Sequence, residues 1–146
     1  MFAVTRMTTS QQRQHERAER ISDAIVQAYN RGEPDRIDDV FTDDFVCHLT
    51  GGGEVHGPDG YKERIEAVRA AFPDFEKEEV FLVVEGDRAA VRYRWHGTHE
   101  GEFAGMPATG KRVETTSAAL LRMEGDRLAE MWAYSDGETL MQQLEA

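Results

Sequence analysis

The chain has 146 residues, 40% of them hydrophobic and 31% charged, with a formal net charge of −11. That balance belongs to a globular chain able to bury a core of its own, not to a disordered one. A negative field of this size disfavours nucleic acid and anionic membranes as partners, and no run approaches the roughly 20 apolar residues that cross a bilayer.

Cys47 is the only cysteine, so no disulfide forms within the chain, and a reducing, cytoplasmic setting is expected. Lysine supplies only Lys62, Lys77 and Lys111 of the 17 basic residues. Many carboxylates with few lysines suit a protein of a high-salt cytosol, and suit equally one that is simply acidic. Met1–Gln14 has no apolar run of signal-peptide length, and Met7 offers an alternative start. Residues 1–9 are expected to be a flexible N-terminus and residues 10–146 a single domain.

In chain order, residues 10–31 form an amphipathic helix on Ala18, Ile21, Ala24, Ile25, Ala28 and Tyr29, stopped by Gly32. Pro34 opens a short second helix that turns Ile37, Val40 and Phe41 inward. A strand follows over Phe45–Leu49, then a glycine turn at Gly51–Gly53. Gly57-Pro58 starts a third helix striped by Tyr61, Ile65, Val68 and Phe72, which Pro73 ends.

Beyond Pro73 the period becomes two. Glu79–Glu85, Ala89–Phe103, Val113–Met123 and Leu128–Asp136 read as strands. Glu-Gly-Asp-Arg occurs at 85–88 and again at 124–127, each time as a hairpin turn between strands. Residues 138–146 form a terminal helix. Helices first and antiparallel strands after predict an α+β fold with its helices on one face of a strongly bent sheet.

Two apparent motifs do not hold. Gly105–Lys111 imitates a phosphate loop, but Arg112 stands where a magnesium-binding hydroxyl is needed, and the segment joins two strands. His96 and His99, three apart on a strand, point to opposite faces and cannot share a metal without a bulge. No metal site and no cofactor are expected.

Aromatics, a carboxylate and an imidazole remain. Alternation places Trp132, Tyr134 and Asp136 on one face of the last strand, while Tyr93, Trp95 and His99 share a face earlier. With His48 on the first strand, such a set could line an apolar pocket and remove a proton next to a carbonyl. Each member also has a plain role, as core aromatic, half-buried histidine or helix-capping carboxylate.

Gly97–Lys111, which holds Phe103 and Met106, resembles the long hairpin of the SnoaL-like polyketide cyclase family. Leu121–Trp132 with Asp136 and Leu140–Leu144 is similar to that family's closing strands and tail, and Asp44–His48 to its first-strand motif. The resemblance implies the cone-shaped fold of the nuclear transport factor 2-like superfamily. It implies a polyketide or ester cyclase that closes a ring by intramolecular aldol condensation without a cofactor. Carried over, Asp136 is the acid/base and His48 its polar partner, with Trp132, Trp95, Tyr93, His99, Phe103, Met106 and Tyr134 around a small hydrophobic substrate. Some family members carry a histidine where this chain has Ser117–Leu120. An isomerase using the same pocket and a non-catalytic binding domain remain alternatives. Large side chains on both faces of the strands predict a homodimer packed sheet to sheet.

Overall fold

A computed structural model describes residues 6–146. Of the expected flexible segment 1–9, residues 1–5 lie outside the described part, and Thr8 and Thr9 already belong to a helix start. Helix α1 runs over Thr9–Arg31. A capping box holds its first turn: Gln11 N donates to Thr8 Oγ1 (3.1 Å), and Thr8 N donates to Gln11 Oε1 (2.8 Å). Gly32, at φ 62°, ends it in the left-handed conformation that favours glycine. The next helix is a single 3-10 turn at Pro34–Ile37, so Phe41 opens strand β1 (Phe41–His48), a few residues before the strand expected there.

The glycine turn leads to a short strand β2 (Glu54–His56), which alternation over three residues could not signal, and then to α2 (Gly57–Ala71). Four long strands follow: β3 (Glu76–Glu85), β4 (Arg88–Thr98), β5 (Arg112–Glu124) and β6 (Arg127–Ser135), and α3 (Gly137–Glu145) closes the chain. The sheet order is β2-β1-β6-β5-β4-β3. Its pairs are antiparallel except β1 with β6, which run parallel across a long connection that holds β2, α2, β3, β4 and β5. Register shifts interrupt β3 between Glu79 and Phe81, β5 between Arg122 and Met123, and β1 between Phe41 and Val46. Such bulges increase local twist and let an open sheet bend. The result is the expected α+β cone: three helices on one face of a six-stranded, open sheet.

Alternation decides what each face carries. Phe45, Cys47, Val91, Tyr93, Val113, Ala119, Leu121 and Met131 are buried under the helices. They meet Ala18, Ile21, Ile25, Ala28 and Tyr29 of α1 and Tyr61 and Ile65 of α2. Phe41, Phe45 and Tyr61 form an aromatic knot, with the Phe41 and Phe45 centroids 4.2 Å apart. The opposite face carries no helix and keeps Phe81, Val83, Leu120 and Tyr134 about half exposed.

The β4–β5 connection folds back over the end of α2. Glu100 N and Gly101 N both donate to the Ala71 carbonyl, at 2.9 and 3.1 Å. Any side-chain carbon at Gly101 would overlap the Ala70 carbonyl oxygen, so this approach requires glycine. Phe103 and Ala104 are thereby brought to the mouth of the space between helices and sheet.

Candidate active site

The helix-covered face holds a cavity of about 350 Å³. Phe72, Phe75, Trp95, Phe103, Leu140 and Met141 give it apolar walls. Thr115, Ser117 and Ser135 form its floor, where small side chains leave the sheet uncovered. Phe75 lies 5.0 Å from Trp95, and Phe72 contacts Trp95 and Phe103 edge-on. A narrow inner extension passes Tyr29 and Tyr61 to reach Tyr93 and Met131.

Two cations enter this apolar space, Arg64 from α2 and Lys77 from β3. Lys77 Nζ lies over two aromatic rings, 4.3 Å from the Tyr93 centroid and 4.6 Å from that of Tyr29. Burial, with the like charge of Arg64 second, pushes the Lys77 amine down to about 7. The Tyr29, Tyr61 and Tyr93 hydroxyls are pushed up, in each case chiefly by burial. Tyr93 also shares a 2.9 Å hydrogen bond with Ser22 Oγ, which donates to Glu79 Oε1 at 2.7 Å.

Among the described residues, Asp136 is the one carboxylate lining the cavity. It stands at the rim as the N-cap of α3: Oδ1 accepts from Thr139 N (3.1 Å) and Oδ2 from Thr139 Oγ1 (2.8 Å). Those two bonds hold its pKa below the usual carboxylate range, the backbone N–H being the larger cause. Strand β6 ends at Ser135, so the alternation that would have aligned Asp136 with Trp132 stops one residue short.

Trp95 and Phe103 line the cavity, Tyr93 lines its inner extension, and His99 and Met106 support the wall from behind. His99 is fully buried, its Nδ1 3.0 Å from Thr109 Oγ1 and its ring 5.5 Å from Phe72. His48 and Trp132 do not line this space, and Tyr134 borders its inner extension while its side chain stays half exposed. On β6 it is Met131 and Ala133 that face the helices, so Trp132 and Tyr134 occupy the uncovered face beside Leu120. His48 pairs with Trp132 across β1 and β6 and stacks on its ring at 5.4 Å. Its Nε2 lies 2.7 Å from Glu130 and its Nδ1 3.2 Å from Glu54, while Arg122 Nε donates to the other Glu130 oxygen at 3.1 Å. His48, then Arg122, hold the Glu130 carboxyl below its usual range.

The sequence does not single out Arg64 and Lys77 as site residues. An isolated lysine among Glu76, Glu78 and Glu79 reads as solvent-facing, and only its pairing opposite Trp95 shows that it points inward.

Comparison with known proteins agrees with this architecture. The family model for the SnoaL-like polyketide cyclase matches residues 19–144. Nogalonic acid methyl ester cyclase of Streptomyces nogalater is 26% identical over 122 residues, covering 82% of this chain and 91% of its own. Aklanonic acid methyl ester cyclase DauD of a Streptomyces species is 25% identical, over 77% of this chain and 71% of its own. Among solved structures, TsrD from Streptomyces laurentii superposes with a TM-score of 0.81 at 25% identity, over 88% of this chain and 95% of its own. IdmH from Streptomyces antibioticus gives 0.77 at 30% identity, over 90% of this chain and all of its own. The chain belongs to the SnoaL-like polyketide cyclase family.

Proposed function

We propose that the protein closes a ring in a small hydrophobic carbonyl compound by intramolecular aldol condensation inside the helix-covered cavity, with Asp136 as the acid/base. The observation that carries this reading is that Asp136 is the one carboxylate on the wall of an otherwise apolar and cationic cavity. Asp136 takes a proton from a carbon next to a carbonyl. The enolate carbon attacks a second carbonyl of the same molecule, and the proton returns to the new alkoxide, so the product is an isomer of the substrate. The cavity contributes by holding a flexible chain in a reactive fold. The carboxylate is a weak base while exposed at the rim, and an apolar substrate covering it strips water and strengthens it.

His48 has no place at the reacting atoms in this scheme, because its ring faces the opposite side of the sheet. The reaction draws on no cofactor. Family membership and the cyclase activity named for two curated relatives support the reading. The test is to incubate the protein with the methyl esters of nogalonic and aklanonic acids and follow products by mass-resolved chromatography. A ring-closed product of unchanged mass, formed faster than in buffer, is expected; no acceleration with either ester or with shorter analogues contradicts it.

The uncovered sheet face supports a second proposal, a homodimer packed sheet to sheet. Phe81, Val83, Leu120 and Tyr134 are 46–56% exposed there, a larger apolar patch than a solvated strand face needs. Arg88, Arg92 and Arg94 alternate with inward residues along β4, and Glu78 and Glu124 flank them on β3 and β5. Two-fold symmetry would set the arginines of one protomer against the carboxylates of its partner. A cytoplasmic location belongs to the same reading, in keeping with one free, buried cysteine, Cys47.

A further inference from the structure

Arg64 and Lys77 share one cavity, yet neither forms an ion pair with any described carboxylate. The contrast with the surface is sharp: Lys62 is held by Asp35 and Asp38, and Arg122 by Glu124 and Glu130. A chain with 28 acidic residues has counter-ions to spare, but the cavity is given none. Asp136, the one carboxylate on the wall, has both oxygens engaged by Thr139, and Glu79 is turned to Ser22. Cys47 and the three tyrosines nearby are held neutral by burial. Lys77 has only ring faces to hold it. Two like charges brought into low dielectric without a partner are costly, and a ligand anion placed between them removes that cost.

We propose that Arg64 and Lys77 form an anion subsite, so that the cavity's ligand carries an anionic oxygen, a carboxylate or the enolate of an acidic dicarbonyl, on a flat apolar body. The flat body follows from the walls, where Phe72, Phe75, Trp95 and Phe103 present rings. Arg64 offers a planar fork to two oxygens and Lys77 a point charge. The anionic end lies deep, toward Tyr29, which both cations approach, and the reacting end of the ligand is left toward Asp136 at the rim. This inference rests on the cavity being the ligand site, but not on aldol chemistry, and it holds equally for a binding domain.

Titration calorimetry at neutral pH and moderate salt, with wild-type protein, separates the possibilities using 1-naphthoate, 2-hydroxy-1,4-naphthoquinone and, as neutral control, methyl 1-naphthoate. At least one anionic probe should bind about tenfold or more tighter than the ester. Naphthoate alone winning assigns a carboxylate, and the quinone alone an enolate. In Lys77→Met and in Arg64→Gln the preference should fall to about twofold while ester affinity changes little. The two variants are independent, so misfolding of one leaves the other decisive, and circular dichroism checks both. Equal binding of ester and anions, or a preference that survives in a folded variant, overturns the subsite. Failure of all three probes to bind overturns the cavity as ligand site as well, whereas loss of the preference alone leaves the cyclase reading standing.

Discussion

Lys77 Nζ lies over the ring of Tyr93, 4.3 Å from its centroid, and pairs with no carboxylate among the described residues. The groups around it are Arg64 from α2, Tyr29 from α1, Cys47 from β1 and Tyr93 from β4. Its amine is held at about 7 in the folded protein, against an ordinary lysine value of roughly 10.4 in the unfolded chain. Between those values the unfolded state binds more protons, so this group makes stability rise with pH from about 7 to about 10. Below that window its penalty is full, and above it the penalty is gone.

Lys77→Met should therefore stabilise the protein most at or below neutral pH, with the gain shrinking as pH approaches about 10. Because Lys77 is only half-buried, on the wall of the cavity, the gain at neutral pH is about 1–3 kcal/mol, less than the full shift would give. Urea unfolding of both proteins across this pH range checks it, and a pH-independent difference would refute the burial account.

Thr139 tunes Asp136. Its hydroxyl and amide both donate to the carboxylate and hold its pKa below the usual carboxylate range. Thr139→Val removes the hydroxyl donor and keeps the shape, so the Asp136 pKa should rise toward its ordinary value. The acid limb of kcat/KM should move to higher pH in a rate profile of the variant. A limb that stays in place assigns it to another group.

His48 stacks on Trp132 and bridges Glu54 and Glu130 on the uncovered face. His48→Gln should leave turnover within about twofold and cost about 1 kcal/mol or less in stability, as exposed ion pairs do. Steady-state kinetics and thermal unfolding measured together decide this, and a hundredfold fall in kcat would put the histidine back in the chemistry.

Dimerisation through the uncovered face has a salt signature. Two protomers of charge −11 repel, and screening removes that repulsion, so sedimentation should show dimer increasing with ionic strength. Phe81→Glu, at a residue 52% exposed, should give a stable monomer at every salt level. A wild-type monomer throughout would refute the dimer.

Alternation made the strands legible: it separated Trp132 and Tyr134 from Met131 and Ala133, and it grouped Tyr93 with Trp95. It does not say which face of β6 the helices cover. Alternation points to the aromatic face as the pocket wall, whereas a cavity forms where side chains are small, as at Ser117, Ala133 and Ser135. Tyr93 and Trp95 do face inward, paired with Ser117 and Thr115 of β5, so their rings wall the space that those small side chains leave open. The cationic pair was illegible for another reason. Arg64 on an amphipathic helix and Lys77 in an acidic strand look like surface charges, and only the packing of helices on the sheet turns both toward the cavity.

The most direct test of the account is to measure turnover and ligand affinity side by side in Asp136→Asn. Asparagine caps a helix about as well as aspartate, so α3 stays in place and only proton acceptance is lost. We expect kcat to fall by about a hundredfold or more with Kd for a cavity-bound probe within about threefold. Turnover kept within a few-fold of wild type in a folded Asp136→Asn protein would contradict the assignment of Asp136 as the acid/base.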